Sequence, residues 1–260
     1  MPTMVAIPGG TLSLGDRRPG RQPKTVVVDS FELADAAITR GEWQTIRNQA
    51  NASGYSIPSP GAADAPQHPV QWVSALDAVA WLNAASQRDG YVPRYRRPDG
   101  SIYRGGHGVE RITINGAADG YRLPSEPEWE WAAREAGNLR GDGLSGSVNW
   151  RGAWTWSYNA SEPDPALRYT WDNGPPRTVQ VDAGTPNSLG LYHLVGNTWE
   201  WVQHLIADPR GEYDDDQADD RYSVIRGGSC ESLSAIARPN TREVCRVTMR
   251  LPHLGFRVAR

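Results

Sequence analysis

A short apolar run, and then alternating polar and apolar positions, open the chain. Val5-Ala6-Ile7 leads through Pro8-Gly9-Gly10 into Thr11-Leu12-Ser13-Leu14. This pattern predicts a strand, a turn and a second strand. The β-branched run Thr25-Val26-Val27-Val28-Asp29-Ser30-Phe31 continues the sheet. The period then lengthens. Thr39-Arg40-Gly41-Glu42 has the spacing of a helix capping box, with Trp43 and Ile46 on one face of the helix it begins. Residues 51–67 read as loop. Ser74 starts the clearest helix, with Ala75, Leu76, Val79, Ala80 and Leu82 at helical spacing and Asp77 in its first turn. Ser125 caps a third, short helix carrying Glu128, Trp129, Trp131 and Ala132.

Between these elements the periodicity fades. Residues 90–120 are polar and rich in Gly and Arg, which predicts a hairpin or a long loop. Residues 137–185 hold isolated aromatics with no period, a stretch that only tertiary packing or a metal would order. The acidic run Glu212 to Asp220 predicts a solvated loop. No repeat or linker divides residues 1–260, so a single domain is expected.

Composition narrows the class. Hydrophobic residues make up 38% of the chain, yet 11 Trp and 10 Tyr supply large buried areas from few positions. With 27 Gly and 20 Pro as well, this composition suggests a loop-rich α+β domain of short strands and few helices. A net charge of −3 provides no general field for nucleic acid or anionic lipid. No apolar run reaches the length of a membrane span, and Met1-Pro2-Thr3 shows no basic-then-apolar leader. A soluble, cytoplasmic protein is therefore expected, with later export or surface display left open. The two cysteines, Cys230 and Cys245, are expected to be unpaired thiols. A disulfide between them stays geometrically open, and no zinc spacing is present.

Four ordered segments carry a resemblance. They are His68-Pro69-Val70-Gln71-Trp72-Val73-Ser74; Tyr121-Arg122-Leu123-Pro124-Ser125-Glu126-Pro127-Glu128-Trp129-Glu130-Trp131-Ala132-Ala133-Arg134; the run Asn187 to Val202, with Gly196-Asn197-Thr198-Trp199-Glu200-Trp201 at its end; and a framed C-terminus. The frame is Ile225-Arg226-Gly227-Gly228-Ser229-Cys230 on one side and Leu254-Gly255-Phe256-Arg257-Val258-Ala259-Arg260 on the other. Together they resemble the formylglycine-generating enzyme and sulfatase-modifying-factor superfamily. The resemblance implies a C-type-lectin-like fold, with small antiparallel sheets, few helices and extensive ordered loops. Apart from any family, alternation places Trp199 and Trp201 on one side of an extended segment, as core residues, and Glu200 on the other.

The same resemblance frames the chemistry. Its copper enzymes hold Cu(I) with two thiolates, a soft-ligand arrangement. The matching positions here are Ser232 and Ala237, which supply no thiolate, so formylglycine generation is not expected. A second branch holds non-haem iron through a His-x-x-x-His-x-Glu arrangement in an added helical domain. His68, His107, His193, His204 and His253 show no such spacing. The resemblance also implies a structural calcium in the loop Tyr192–Glu200. Gly196, Thr198 and Glu200 stand at matching positions, with His193 in place of an Asn or Asp ligand. No serine-triad pattern or phosphate loop is present, and Arg104-Gly105-Gly106-His107-Gly108 reads as a turn.

The insert within the frame diverges while the frame persists. Arg238, Arg242 and Arg250 stand where arginines recur in the family, but Cys230, Leu233, Ile236, Pro239, Val244, Arg246, Val247, Met249, Leu251, Pro252 and His253 break its polar pattern. This resembles the variable proteins of diversity-generating retroelements, whose C-terminal segment is scrambled chiefly at Asn codons. Leu, Pro, His, Ile, Val, Arg and Cys are reachable from such codons; Glu231, Glu243 and Met249 are not. Ordinary drift in a surface loop is the other reading. Both favour binding over catalysis. The expected function is a non-catalytic binder of a protein or cell-surface ligand, presenting residues 226–260. The expected contacts are Cys230, Glu231, Leu233, Ile236, Pro239, Glu243, Val244, Arg246, Val247, Met249, Leu251, Pro252 and His253. The alternatives are a metal-dependent oxidase or oxygenase lacking the copper cysteine pair, and an accessory module of a larger system.

Overall fold

The computed structural model describes residues 1–14, 24–106, 111–137, 177–184, 186–203, 222–232 and 238–260. The predicted opening strands form a single interrupted ribbon. β1 (Met4–Ile7) pairs antiparallel with β4 (Phe31–Ala34), and β2 (Gly10–Leu14) pairs with β3 (Lys24–Val28). The register runs unbroken from Met4↔Ala34 and Ile7↔Phe31 to Gly10↔Val28. Pro8, which has no N–H to give a ladder, lies in the break between the two halves. The sequence therefore places these strands correctly, but β1 and β2 are successive halves of one ribbon edge and do not pair with each other.

All three predicted helices begin where their caps stand. α1 (Arg40–Ala52) is capped by Thr39 with Glu42, α2 (Ala75–Arg88) by Ser74 with Asp77, and α3 (Glu126–Ala133) by Ser125 with Glu128. In each, the hydroxyl accepts from the third helical N–H while the acid accepts from the cap residue's own N–H. The polar stretch after α2 contains a short antiparallel pair, β5 (Tyr95–Arg96) with β6 (Thr113–Ile114). Most of 137–185 and all of Glu212–Asp220 lie outside the described residues.

A four-stranded sheet organises the C-terminal half, in the order β10-β7-β8-β9. Its strands are β7 (Trp199–Trp201), β8 (Tyr222–Arg226), β9 (Arg242–Arg246) and β10 (Leu254–Phe256); only the β10–β7 pairing is parallel. This sheet separates two apolar cores. Trp201, Ile225 and Phe256 face the larger one, where Trp43 and Trp81 stack at 6.0 Å and Phe256 meets both edge-on. Such aromatic pairs add about 0.5–1.5 kcal/mol each beyond their area burial. Val202 and Val224 face the smaller core, with Trp129, Trp131 and Leu33. As alternation predicts, Trp201 is core and Trp199 packs half-buried against it. Glu200 points the other way, but α3 covers that face, so its carboxylate is buried as well. Among the described residues, no helix is long and apolar enough to cross a membrane.

Candidate functional site

The frame is built around two buried arginines. Arg257, just beyond β10, donates through Nε and Nη2 to the Glu200 carboxylate at 2.7–3.0 Å, and through Nη1 and Nη2 to the carbonyls of Ala34 and Tyr192. Trp129 Nε1 donates to the same carboxylate at 2.7 Å. Arg226, at the end of β8, is paired with Glu130 and lies 3.6 Å from Glu126. It also donates to the carbonyls of Pro239 (3.0 Å) and Thr241 (2.9 Å), and its guanidinium stacks over Trp129. Gly227 follows with φ +95°, and a Cβ there would meet the Leu194 carbonyl oxygen at 2.5 Å and the Trp129 ring at 3.0 Å. On the other side, a Cβ on Gly255 would fall 2.4 Å from the Val70 carbonyl oxygen. Close approach thus demands both glycines, and at Gly227 the left-handed conformation demands one as well.

Two more arginines pin the segment between. Arg242 Nε donates to Glu126 (2.9 Å) at the start of α3. Arg250 donates through Nε and Nη2 to Asp77 (2.7 and 3.0 Å), the capping acid of α2. These acids therefore stabilise a positive helix end and anchor the C-terminal segment at once. Sequence reasoning noted the recurring arginines but not their partners, since the pairs are separated by more than a hundred residues.

What the segment shows to solvent is mixed. Glu231, Glu243, Val244, Arg246, Met249 and Pro252 are exposed, Val244 at 53% and Met249 at 41%. Leu251 and His253 are half-buried. Cys230, Pro239 and Val247 are buried, which corrects their expected place on the surface. Cys230 sits beneath the frame, Pro239 packs where its carbonyl meets Arg226, and Val247 joins the larger core against α2. Leu233, Ile236 and Ala237 lie outside the described residues, as do His107 and His204. One exposed residue outside the segment joins the face: Trp72, 47% exposed at φ +59°, donates its N–H to the Leu251 carbonyl at 3.0 Å. A bulky residue held in the left-handed region while its side chain faces water is a departure that points to function.

Three chemistry-bearing side chains meet at the neck of the segment. Cys230 Sγ lies 3.2 Å from His253 Nδ1, and His253 Nε2 lies 3.0 Å from Glu231. Both cysteines are free, in line with the sequence. Burial, and then the neighbouring Glu231 charge, push the Cys230 thiol up to about 12, so it is protonated at neutral pH. His253 is fixed by its N–H to Gln71 Oε1 and its carbonyl to Trp199 N–H, at φ +54°.

The metal positions implied by the resemblance are otherwise engaged. Ser232 Oγ accepts from the Ser229 N–H at 2.9 Å and supplies no thiolate. Both oxygens of Glu200 are taken by Arg257, one also by Trp129, so this carboxylate is not free for calcium. Gly196 N–H bonds to the Gly227 carbonyl and Thr198 Oγ1 to the Trp199 carbonyl. Glu200 therefore does not fit the role of a free calcium-binding carboxylate, because a guanidinium already neutralises it.

The charge of the same guanidinium bears on the buried His193. Desolvation, and then the Arg257 charge, lower its pKa to about 4, with backbone contacts at Ala183 and Gln180 opposing. A depressed folded pKa contributes stability in full above the ordinary value near 6.5, and loses it as pH falls through that window toward 4. The slope should approach about 1 kcal/mol per pH unit. His193→Asn, which tolerates the residue's left-handed φ of 46°, should flatten it. Urea midpoints measured from pH 6.5 to 4.5 would decide; an unchanged slope would assign the acid sensitivity elsewhere.

An α+β domain of small sheets around two buried Arg–Glu centres, closed by a glycine-framed C-terminal segment, defines the class. Residues 1–260 match the family model described as the sulfatase-modifying factor enzyme 1-like domain, and the chain belongs to that family. It is 28% identical to the chaperone protein LppX of Paenibacillus barcinonensis over 77% of this chain and 72% of that one. It is 27% identical to the mouse formylglycine-generating enzyme over 87% of this chain and 65% of that one. The mouse inactive C-alpha-formylglycine-generating enzyme 2 is 28% identical over 99% of this chain and 87% of its own. The fold matches the crystal structure of CarF with a TM-score of 0.72 at 24% identity, covering 100% of this chain and 98% of that one. It also matches Treponema denticola variable protein 1, with a TM-score of 0.71 at 24% identity over 98% and 94%. The fold is thus C-type-lectin-like, of the formylglycine-generating-enzyme type.

Proposed function

We propose that the protein recognises a protein ligand, or one displayed at a cell surface, through its C-terminal segment, and that it does not generate formylglycine. One observation carries the reading: the framing strands are held in the core while Val244 and Met249 between them stay exposed, and the exposed Trp72 joins the segment at the Leu251 carbonyl. Large apolar side chains facing solvent with charged Glu243 and Arg246 nearby suit protein recognition, in which aromatic and methionine anchors concentrate the binding energy. The variable protein with the same fold and the chaperone among the relatives support a partner-binding role. The inactive mouse relative supports retention of this fold without the oxidation chemistry. Diversification of the segment by a retroelement belongs to the same reading.

Site-specific photo-cross-linking provides the test. A photoreactive residue at Val244 or Met249 is expected to capture a discrete partner from cells of the source organism. The same probe at Val27 or Val92, which are exposed and apolar elsewhere, is expected to capture none. Trp72→Ala should cut capture about tenfold or more, as loss of an aromatic anchor does. Equal capture from control positions would end the surface assignment. Conversion of a sulfatase cysteine peptide by the copper-supplied protein would end the non-catalytic one. A near-copy of the segment's coding DNA downstream, beside a reverse transcriptase, would identify the source of variation.

A further inference from the structure

β9 is the last strand of its sheet, and among the described residues no strand or bridge pairs with its outer edge. We propose that this edge receives an extended segment of the protein ligand, acidic where it meets Arg246, which pairs antiparallel with Arg242–Arg246 as an added strand. The proposal rests on the recognition reading above and says how the ligand is held.

Hydrogen-bond parity tells which backbone groups the edge offers. The Val202 N–H donates to the Val224 carbonyl at 3.2 Å, so the backbone groups of Val224 point to the β7 side. Parity alternates along an antiparallel strand. Ser223 and Ile225 therefore bond the other way, to their register partners Cys245 and Glu243 in β9. Val244 lies between those two, and its N–H and carbonyl face outward. The Arg246 N–H faces out with them. The Arg246 carbonyl already accepts from the Met249 N–H at 2.9 Å, which ends the usable edge there. A residue set opposite Val244 would exchange two hydrogen bonds with it, the arrangement by which extended peptides join exposed sheet edges.

Side chains define the occupant. Arg242, Val244 and Arg246 share one face of β9. Val244 is 53% exposed, and the exposed Arg246 lies over the Tyr222 ring, with no carboxylate paired to it among the described residues. Arg242 is committed to Glu126. Glu243, exposed on the opposite face, carries the opposite sign. A complementary strand thus sets an apolar β-branched residue against Val244, a carboxylate against Arg246 and a base against Glu243. A second copy of this chain does not fit. Two β9 strands pairing about Val244 would set Arg242 of each against Arg246 of the other, and like charges directly opposite destabilise a ladder.

The full chain is titrated with a short capped peptide of core Glu-Thr-Val-Lys-Thr, whose Val falls opposite Val244 and whose Glu falls opposite Arg246. Expected are saturable binding and slowed exchange of the Val244 and Arg246 amides, with the Cys245 amide, already bonded to β8, unchanged. N-methylation of the peptide Val removes a donor to β9 and should abolish binding. N-methylation of the Thr before it, whose N–H points away, should leave binding intact. Val244→Pro should weaken binding about tenfold, because it removes an outward N–H and leaves the ladder to β8 whole. Arg246→Glu should weaken it about fivefold, and a peptide with Lys in place of its Glu should recover the loss. Unchanged far-ultraviolet circular dichroism establishes that each variant is folded, and the methylated peptides need no variant at all. No binding, or equal tolerance of both methylations, overturns the added strand. So does a dimer that forms without peptide and disappears in Val244→Pro. Capture of a partner through Met249 while the peptide fails leaves the recognition reading standing; peptide binding with no partner captured removes that reading alone.

Discussion

Arg257→Met should lower the stability of the protein by about 3–5 kcal/mol, the range found when one partner of a buried ion pair is removed. The loss follows from what remains. Glu200 is 1% exposed, and its neighbours on that face are the apolar side chains around Val224 and Trp129. Without the guanidinium its charge keeps, among the described residues, the indole N–H of Trp129 as its hydrogen-bond donor, and the carbonyls of Ala34 and Tyr192 each lose a hydrogen bond as well. The double variant Glu200→Gln/Arg257→Met should be more stable than Arg257→Met alone, because no uncompensated charge stays buried. Urea unfolding of the three proteins provides the measurement. A double variant no better than the single would show that the stranded charge is not what makes the loss large.

Arg226→Met should cost a similar amount and loosen a different part of the molecule. This side chain is fully buried, pairs with Glu130, and holds the carbonyls of Pro239 and Thr241, where the segment returns toward β9. Its removal takes the buried guanidinium from Glu130 and Glu126, leaving them to Arg134 and Arg242, and frees two carbonyls at the neck together. Arg242 provides the comparison. It pairs with Glu126 but is partly exposed, so Arg242→Met should cost only about 1 kcal/mol. Amide exchange should rise across residues 238–246 in Arg226→Met, and capture through Val244 should fall with it. If Arg226→Met were no more destabilising than Arg242→Met, the buried arginine would not be the anchor of the segment.

Local signals are the legible ones in this chain. Three capping boxes, each a hydroxyl followed three places later by an acid, set the three helix starts, because those hydrogen bonds close within a single turn. Alternation placed Trp201 in the core. It puts Glu200 on the opposite side, but period two says which side a residue faces and not whether another layer covers that side. The candidate site was only half legible. Val244, Met249 and Glu243 are exposed as expected, but Pro239 and Val247 turn inward because Arg226 and α2 draw their backbone to the core. Nothing local in the sequence marks Trp72 as a residue at φ +59°.

By itself the sequence determined the α+β class, the family's scaffold, the helix starts and the absence of thiols at Ser232 and Ala237. Each of these is set by neighbouring residues or by motifs whose order along the chain is enough. Tertiary structure alone decided that Glu200 belongs to Arg257 and not to a free cation cage, that Asp77 and Glu126 each hold an arginine of the C-terminal segment, and that Cys230 meets His253 across the neck. The physical reason is the same in every case. Charge pairing, desolvation and donor geometry act over a few ångströms in space, and the chain separations of these partners carry no trace of that distance.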